Sequence, residues 1–114
     1  MIHLLISTQI TGGSPCQVVF FPASNSVVLI NSAGSALVPG SITPGANTGT
    51  LSNDRCSVSG AGMTRLDSAD TITISMPVSF NVATFAGPKN VYANVFDNGG
   101  LLTHWQQFGI WTVQ

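Results

Sequence analysis

Residues 89–114 read KNVYANVFDNGGLLTHWQQFGIWTVQ. Two β-rich runs, Asn90 to Phe96 and Gly109 to Val113, flank an Asp97-Asn98-Gly99-Gly100 turn and the tryptophans Trp105 and Trp111. Alternation in the second run sets Trp111 and Val113 on one face and Ile110 and Thr112 on the other. Leu101 to Gln107 has room for at most one helical turn. The carboxyl-terminal third is therefore β structure punctuated by a glycine turn.

Working outward, Thr71-Ile72-Thr73-Ile74-Ser75-Met76 alternates polar and apolar residues with period two, the clearest strand signal in the chain. Arg55 to Ser59, Ile2 to Ile10, Cys16 to Phe21 and Ser26 to Asn31 add further strands. Pro22-Ala23-Ser24-Asn25 suits a tight hairpin between the last two, and Thr11 to Pro15 is a turn. In Cys16 to Phe21, Phe20 and Phe21 point to opposite faces, one to a core and the other to an edge or interface. Ser35 to Asn53, with Pro39-Gly40, Pro44-Gly45 and Asn47-Thr48-Gly49, is mostly loop. No long helix is expected. Seven or so short strands imply an all-β fold, a two-sheet antiparallel β-sandwich, because one open sheet leaves an apolar face uncovered. At 114 residues the chain is one domain, 1–114.

Charged residues make up 6% of the sequence and the formal net charge is -1, so the surface is hydrated by Ser, Thr, Asn, Gln and backbone. Clustered Lys or Arg, which a phosphate backbone requires, are lacking, and nucleic acid is excluded as a partner. No apolar run is long enough for a helical membrane span. Residues 1–6 are apolar but lack a basic start, so no signal peptide is read there; an export signal would lie outside this chain. This composition fits an extracellular or cell-surface location. Cys16 and Cys56 have neither metal-ligand nor Cys-x-x-Cys spacing, which leaves one disulfide or two buried thiols.

Candidate chemistry is sparse. Asp97-Asn98-Gly99-Gly100 supplies oxygens of the kind Ca2+ takes, but with a single carboxylate it reads as a turn, and no metal or cofactor is assigned. Asp67 and Asp70 flank Ser68-Ala69 at a spacing that serves acid–base work or a solvated loop equally. His3 and His104 are the histidines; His3 is expected to face outward on an edge strand. No nucleophile elbow surrounds Ser57 or Ser59. His104, beside Trp105 and near Asp97, is the least poor centre for a small hydrolase of glycosidase or esterase type. The aromatics offer more: Tyr92, Trp105, Phe108 and Trp111 crowd one region, where an exposed ring with Asn94, Asn98, Gln106 and Gln107 beside it would hold a sugar by stacking and neutral hydrogen bonds. Trp105, Gln106, Gln107, Asn98 and His104 form this candidate ligand site; the competing reading has Trp111 and Tyr92 fill the core between sheets, leaving only Trp105 near the surface, and core is favoured for Trp111.

The segments around Cys16, Asn31-Ser32-Ala33-Gly34, Thr50-Leu51-Ser52-Asn53 before Cys56, Ser59-Gly60-Ala61-Gly62, Phe85 to Tyr92, Trp105-Gln106-Gln107 and Gly109 to Val113 together resemble an Ig-like β-sandwich module of very large secreted or surface proteins of soil bacteria, notably acidobacteria. The resemblance runs from about residue 2 to residue 113. It implies an immunoglobulin-like fold, tandem repetition in a longer parent and pairing of Cys16 with Cys56, and it implies no established chemistry. Related modules carry another strand and an Asp/Gly-rich turn before the equivalent of Met1. A missing first strand would leave an unpaired edge open to strand addition or a homodimer. The expected function is a non-catalytic structural or adhesion module with a glycan or protein ligand; a carbohydrate-binding module and the hydrolase stand as alternatives.

Overall fold

The computed structural model describes residues 2–7, 15–68, 71–95 and 106–113. Every pairing between its strands is antiparallel. A five-stranded sheet has the order β10-β9-β1-β2-β3, built from β1 (Ile2–Ser7), β2 (Cys16–Phe21), β3 (Ser26–Leu29), β9 (Gly87–Val95) and β10 (Gln106–Val113). A three-stranded sheet joins β4 (Thr50–Ser52), β5 (Cys56–Ser59) and β8 (Val78–Phe80), and a hairpin pairs β6 (Thr64–Ser68) with β7 (Thr71–Ser75). The single helix among the described residues, α1 (Val82–Phe85), is one turn capped by Asn81, whose side chain accepts from the Ala83 amide at 3.1 Å.

The alternation in β1 and β2 decides which face is buried where. Ile6, Cys16, Val18, Phe20, Val27 and Leu29 of the five-stranded sheet share one core with Leu51, Cys56 and Val58 of the three-stranded sheet, closed by Ile42, Met63 and Phe85. Each large side chain buried there contributes about 1.5–3 kcal/mol. Leu5, Val19 and Tyr92, at intervening positions, are also buried but stand outside that cluster. Within the first cluster Cys16 and Cys56 form a disulfide, with Cα atoms 5.9 Å apart, tying β2 to β5.

The expected hairpin is present. Phe21 pairs with Ser26 across Pro22 to Asn25; the Asn25 amide donates to the Pro22 carbonyl at 3.3 Å, and Asn25 takes the left-handed φ of 51° that asparagine tolerates. Phe20 enters the core and Phe21 stays half-buried.

Other expectations need correction. Ile2–Ser7 is a central strand, paired with β2 on one side and β9 on the other, so the sheet's edges are β3 and β10, and His3 does not lie on an edge strand. Gln106 and Gln107, the described end of the Leu101–Gln107 run, are extended and pair with Ala93 and Tyr92, the ladder to β9 passing a bulge between Gln107 and Gly109. Thr50–Ser52, inside the expected loop, is drawn into a strand by its pairing with β5. Strands β6 and β8 and the short helix were not anticipated from composition.

Asparagine does much of the fastening that charge does elsewhere. Asn53 Oδ1 accepts from the amides of Arg55 at 2.7 Å and Cys56 at 2.9 Å, while its Nδ2 donates to the Ile30 carbonyl at 3.0 Å. Asn47 accepts from the Gly62 amide, Asn31 from the Ser35 amide, and Asn25 donates to the Pro44 carbonyl. A neutral amide both donates and accepts, so one side chain closes a loop without carrying a charge into the interior.

Candidate functional site

Asn98, His104 and Trp105 of the sequence-derived ligand site, and the calcium reading at Asp97, lie outside the described residues. Gln106 and Gln107 are placed by their backbone in β10, opposite Ala93 and Tyr92; their side chains, and those of Asn94, Phe108 and Trp111, lie outside the description. Tyr92 is 8% exposed and accepts a hydrogen bond from Asn90 Nδ2 at 2.9 Å, so it is no surface stacking platform.

The other candidate groups have structural partners. Arg65 grips Asp67 with two parallel bonds, Nε to Oδ1 at 2.8 Å and Nη2 to Oδ2 at 3.0 Å, which holds the carboxyl below its ordinary pKa. Asp67 is thus held by Arg65, and Asp70 lies outside the described residues. The same guanidinium donates to the Pro22 carbonyl and Asn25 Oδ1 and lies 5.4 Å from the Phe20 ring centre, fastening the β6–β7 hairpin to the β2–β3 turn. His3 Nδ1 meets Gln17 Nε2 at 3.3 Å; burial foremost, with the amino-terminal charge behind it, lowers the imidazole pKa and favours the neutral ring. Ser57 and Ser59 are likewise engaged, the first with Ser52 Oγ at 3.0 Å and the second accepting from the Ala61 amide. Among the described residues no three His, Cys, Asp or Glu side chains gather as a metal site.

The feature with binding geometry is apolar. A cavity of about 310 Å³ lies along β1, lined by Ile2, His3, Leu4 and Ile6, by Val18 and Phe20 of β2 and Ala93 of β9, with Ile74, Met76 and Val78 completing the wall. His3 apart, its lining is apolar, so its main chemistry is the exclusion of water from apolar groups. The alternation read from Thr71 to Met76 is matched by β7, which ends at Ser75, and β8 begins at Val78. Yet the alternation Ile72, Ile74, Met76, Val78, Phe80 continues straight through, with Pro77 on the exposed face. That unbroken period was the available signal.

Compared with known proteins, the chain matches no family model, no curated protein and no solved structure.

Proposed function

We infer that this chain is an immunoglobulin-like two-sheet β-sandwich that serves as a non-catalytic extracellular structural or adhesion module, one repeat of a larger secreted protein. The observation that carries the reading is the Cys16–Cys56 disulfide inside the core, which ties the two larger sheets together. Such cross-links persist in oxidising compartments and are rare where thiols are kept reduced. The sharing of one core by the five-stranded and three-stranded sheets supports the sandwich, and the exposed face of β6–β8, with Thr73, Ser75 and Ser79, supports a surface hydrated without charge.

The test is a glycan array together with chromogenic glycoside and ester substrates, run on wild type, His104→Ala and Trp105→Ala. Silence in every arm is the expected result. Sugar binding lost only in Trp105→Ala would replace the scaffold reading with a carbohydrate-binding module, and turnover abolished by His104→Ala would replace it with a hydrolase. A free-thiol assay on the protein recovered from its native host supplies the second check, since two reactive thiols in the folded, freshly isolated protein would remove the case for export.

A further inference from the structure

The β6–β7 hairpin is a sheet of its own, and its base is fixed on both sides. Met63, just before β6, is 2% exposed, and its carbonyl accepts from the Gly45 amide at 3.1 Å. After β7, the Pro77 carbonyl accepts from the Ser59 amide at 3.0 Å and Val78 pairs with Val58. Between these anchors Thr64–Ser68 pairs only with Thr71–Ser75 among the described residues. A lone two-stranded hairpin is marginal in water, so its place on the body depends on what its inner side holds.

That hold is narrow. Thr64, Leu66, Ser68, Thr73 and Ser75 are exposed, and Ile72 is 38% exposed. Ile74 is half-buried against the core, and opposite it in the ladder stands Arg65. Among the described residues, every hydrogen bond from the two strands to the rest of the chain comes from the Arg65 guanidinium, whose Nη1 donates to the Pro22 carbonyl at 3.0 Å and to Asn25 Oδ1 at 3.2 Å. Asp67 takes the other side of the fork through Nε and Nη2, so the hairpin's own carboxylate aims the guanidinium at the β2–β3 turn.

We propose that the β6–β7 hairpin is a flap that opens as a unit while the rest of the domain stays folded, with Arg65 as its latch. Opening turns the hairpin about its two ends, next to Met63 and Pro77, and draws Arg65 off the Phe20 ring, whose centre lies 5.4 Å from the guanidinium carbon in the closed state. It also lifts Ile74 from the wall of the cavity along β1. The motion breaks no ladder to another sheet and leaves the Cys16–Cys56 bridge and the core around it in place, so it costs less than global unfolding. The inference does not depend on whether the module is a scaffold or binds sugar.

The test is native-state proteolysis, because the sequence offers trypsin three sites, Arg55, Arg65 and Lys89. Lys89 is 8% exposed in β9, between β1 and β10, and so reports global unfolding. Folded, oxidised protein is digested in graded urea below its unfolding transition, and fragments are reduced after quenching and counted by mass spectrometry. Each rate is divided by that of the same site in the unfolded chain. Cleavage after Arg65 is expected to be about tenfold faster than after Lys89 or more, and less steeply dependent on urea, since a local opening exposes less surface. Arg65→Lys keeps the cut site and the charge but loses the two-pronged fork. It should raise the rate at residue 65 about tenfold, the worth of one hydrogen bond from a charged donor, and leave the Lys89 rate unchanged. Cleavage at Arg65 as slow as at Lys89, or with the same urea dependence, overturns the flap. No rise at residue 65 in Arg65→Lys overturns the latch, and an equal rise at both sites overturns it too, since Arg65 would then support the whole fold.

Discussion

Reduction of Cys16–Cys56 is the perturbation whose magnitude follows most directly from the structure. The bridge closes a loop with a sequence separation of 40, and the chain-entropy relation gives about 4 kcal/mol for a loop of that size. Unfolding entropy of about 2.1 cal/mol/K per residue over 114 residues amounts to about 0.24 kcal/mol/K, so the loss translates into a fall in Tm of about 16 °C. Against a total stability of about 5–15 kcal/mol for a domain, that is a large share. The assay is a pair of thermal melts followed by far-ultraviolet circular dichroism. One uses oxidised protein; the other uses protein reduced in denaturant, refolded under reductant and verified by mass as carrying two thiols. Both sulfurs are buried, so reductant added to native protein should act only through unfolding, and its rate should rise with temperature. A verified reduced protein melting within about 3 °C of the oxidised one would refute the reasoning, because the closed loop would then not constrain the unfolded chain.

Five further substitutions test other parts of the structure. Gly60→Ala should cost about 3 kcal/mol or more in urea titration, since a Cβ there would lie 1.9 Å from the Thr48 backbone oxygen. Gly45→Ala meets nothing within 4 Å and should cost about 1 kcal/mol for its φ of +92° alone. Asn53→Ala strands two amides and a carbonyl and should cost about 2–3 kcal/mol by the same titration. For His3 the lowered pKa means that the unfolded chain takes up a proton first as pH falls below 6.5; wild type should lose stability between pH 7 and 5, and His3→Gln should flatten that slope. Asp67 works in the opposite range: its depressed pKa supplies stability above the unfolded value of 3.8 that is lost as pH falls through the folded value, so Asp67→Asn should flatten the acid limb of the melting profile below about pH 4.

The β2–β3 hairpin was legible because its strands are apolar and its turn residues are chemically distinctive, and the disulfide was legible as one of two options. What escaped reading depends on partners remote in sequence. Thr50–Ser52 has too few apolar residues to announce a strand, and only the ladder to Ser57–Ser59 makes it one. Thr64–Ser68, with Arg65 and Asp67 alternating on one side, resembles a solvated loop until Arg65 is seen to anchor the segment to Pro22 and Asn25. His3 was misplaced because a strand near the start of a chain gives no local hint of being central; its neighbours on both sides come from 16 and 91 positions further along, as the pairings with Val19 and Asn94 show. The cavity wall was not legible because Val78 and Phe80, which extend the alternation of Ile74 and Met76, lie beyond the run that was read, and their places depend on pairing with β5.

Where the bridge falls along the chain has a mechanical meaning. If neighbouring units of a fibre pull on the two ends of this domain, unravelling can release the segments before Cys16 and after Cys56, while the stretch enclosed between them stays looped. About 40 residues, or about 14 nm of contour at about 3.5 Å each, are withheld from extension until the sulfur–sulfur bond is cut. In the repeat array proposed above, the domain would act as a tether with a fixed reserve of slack, which a reducing environment would release without adding a single residue.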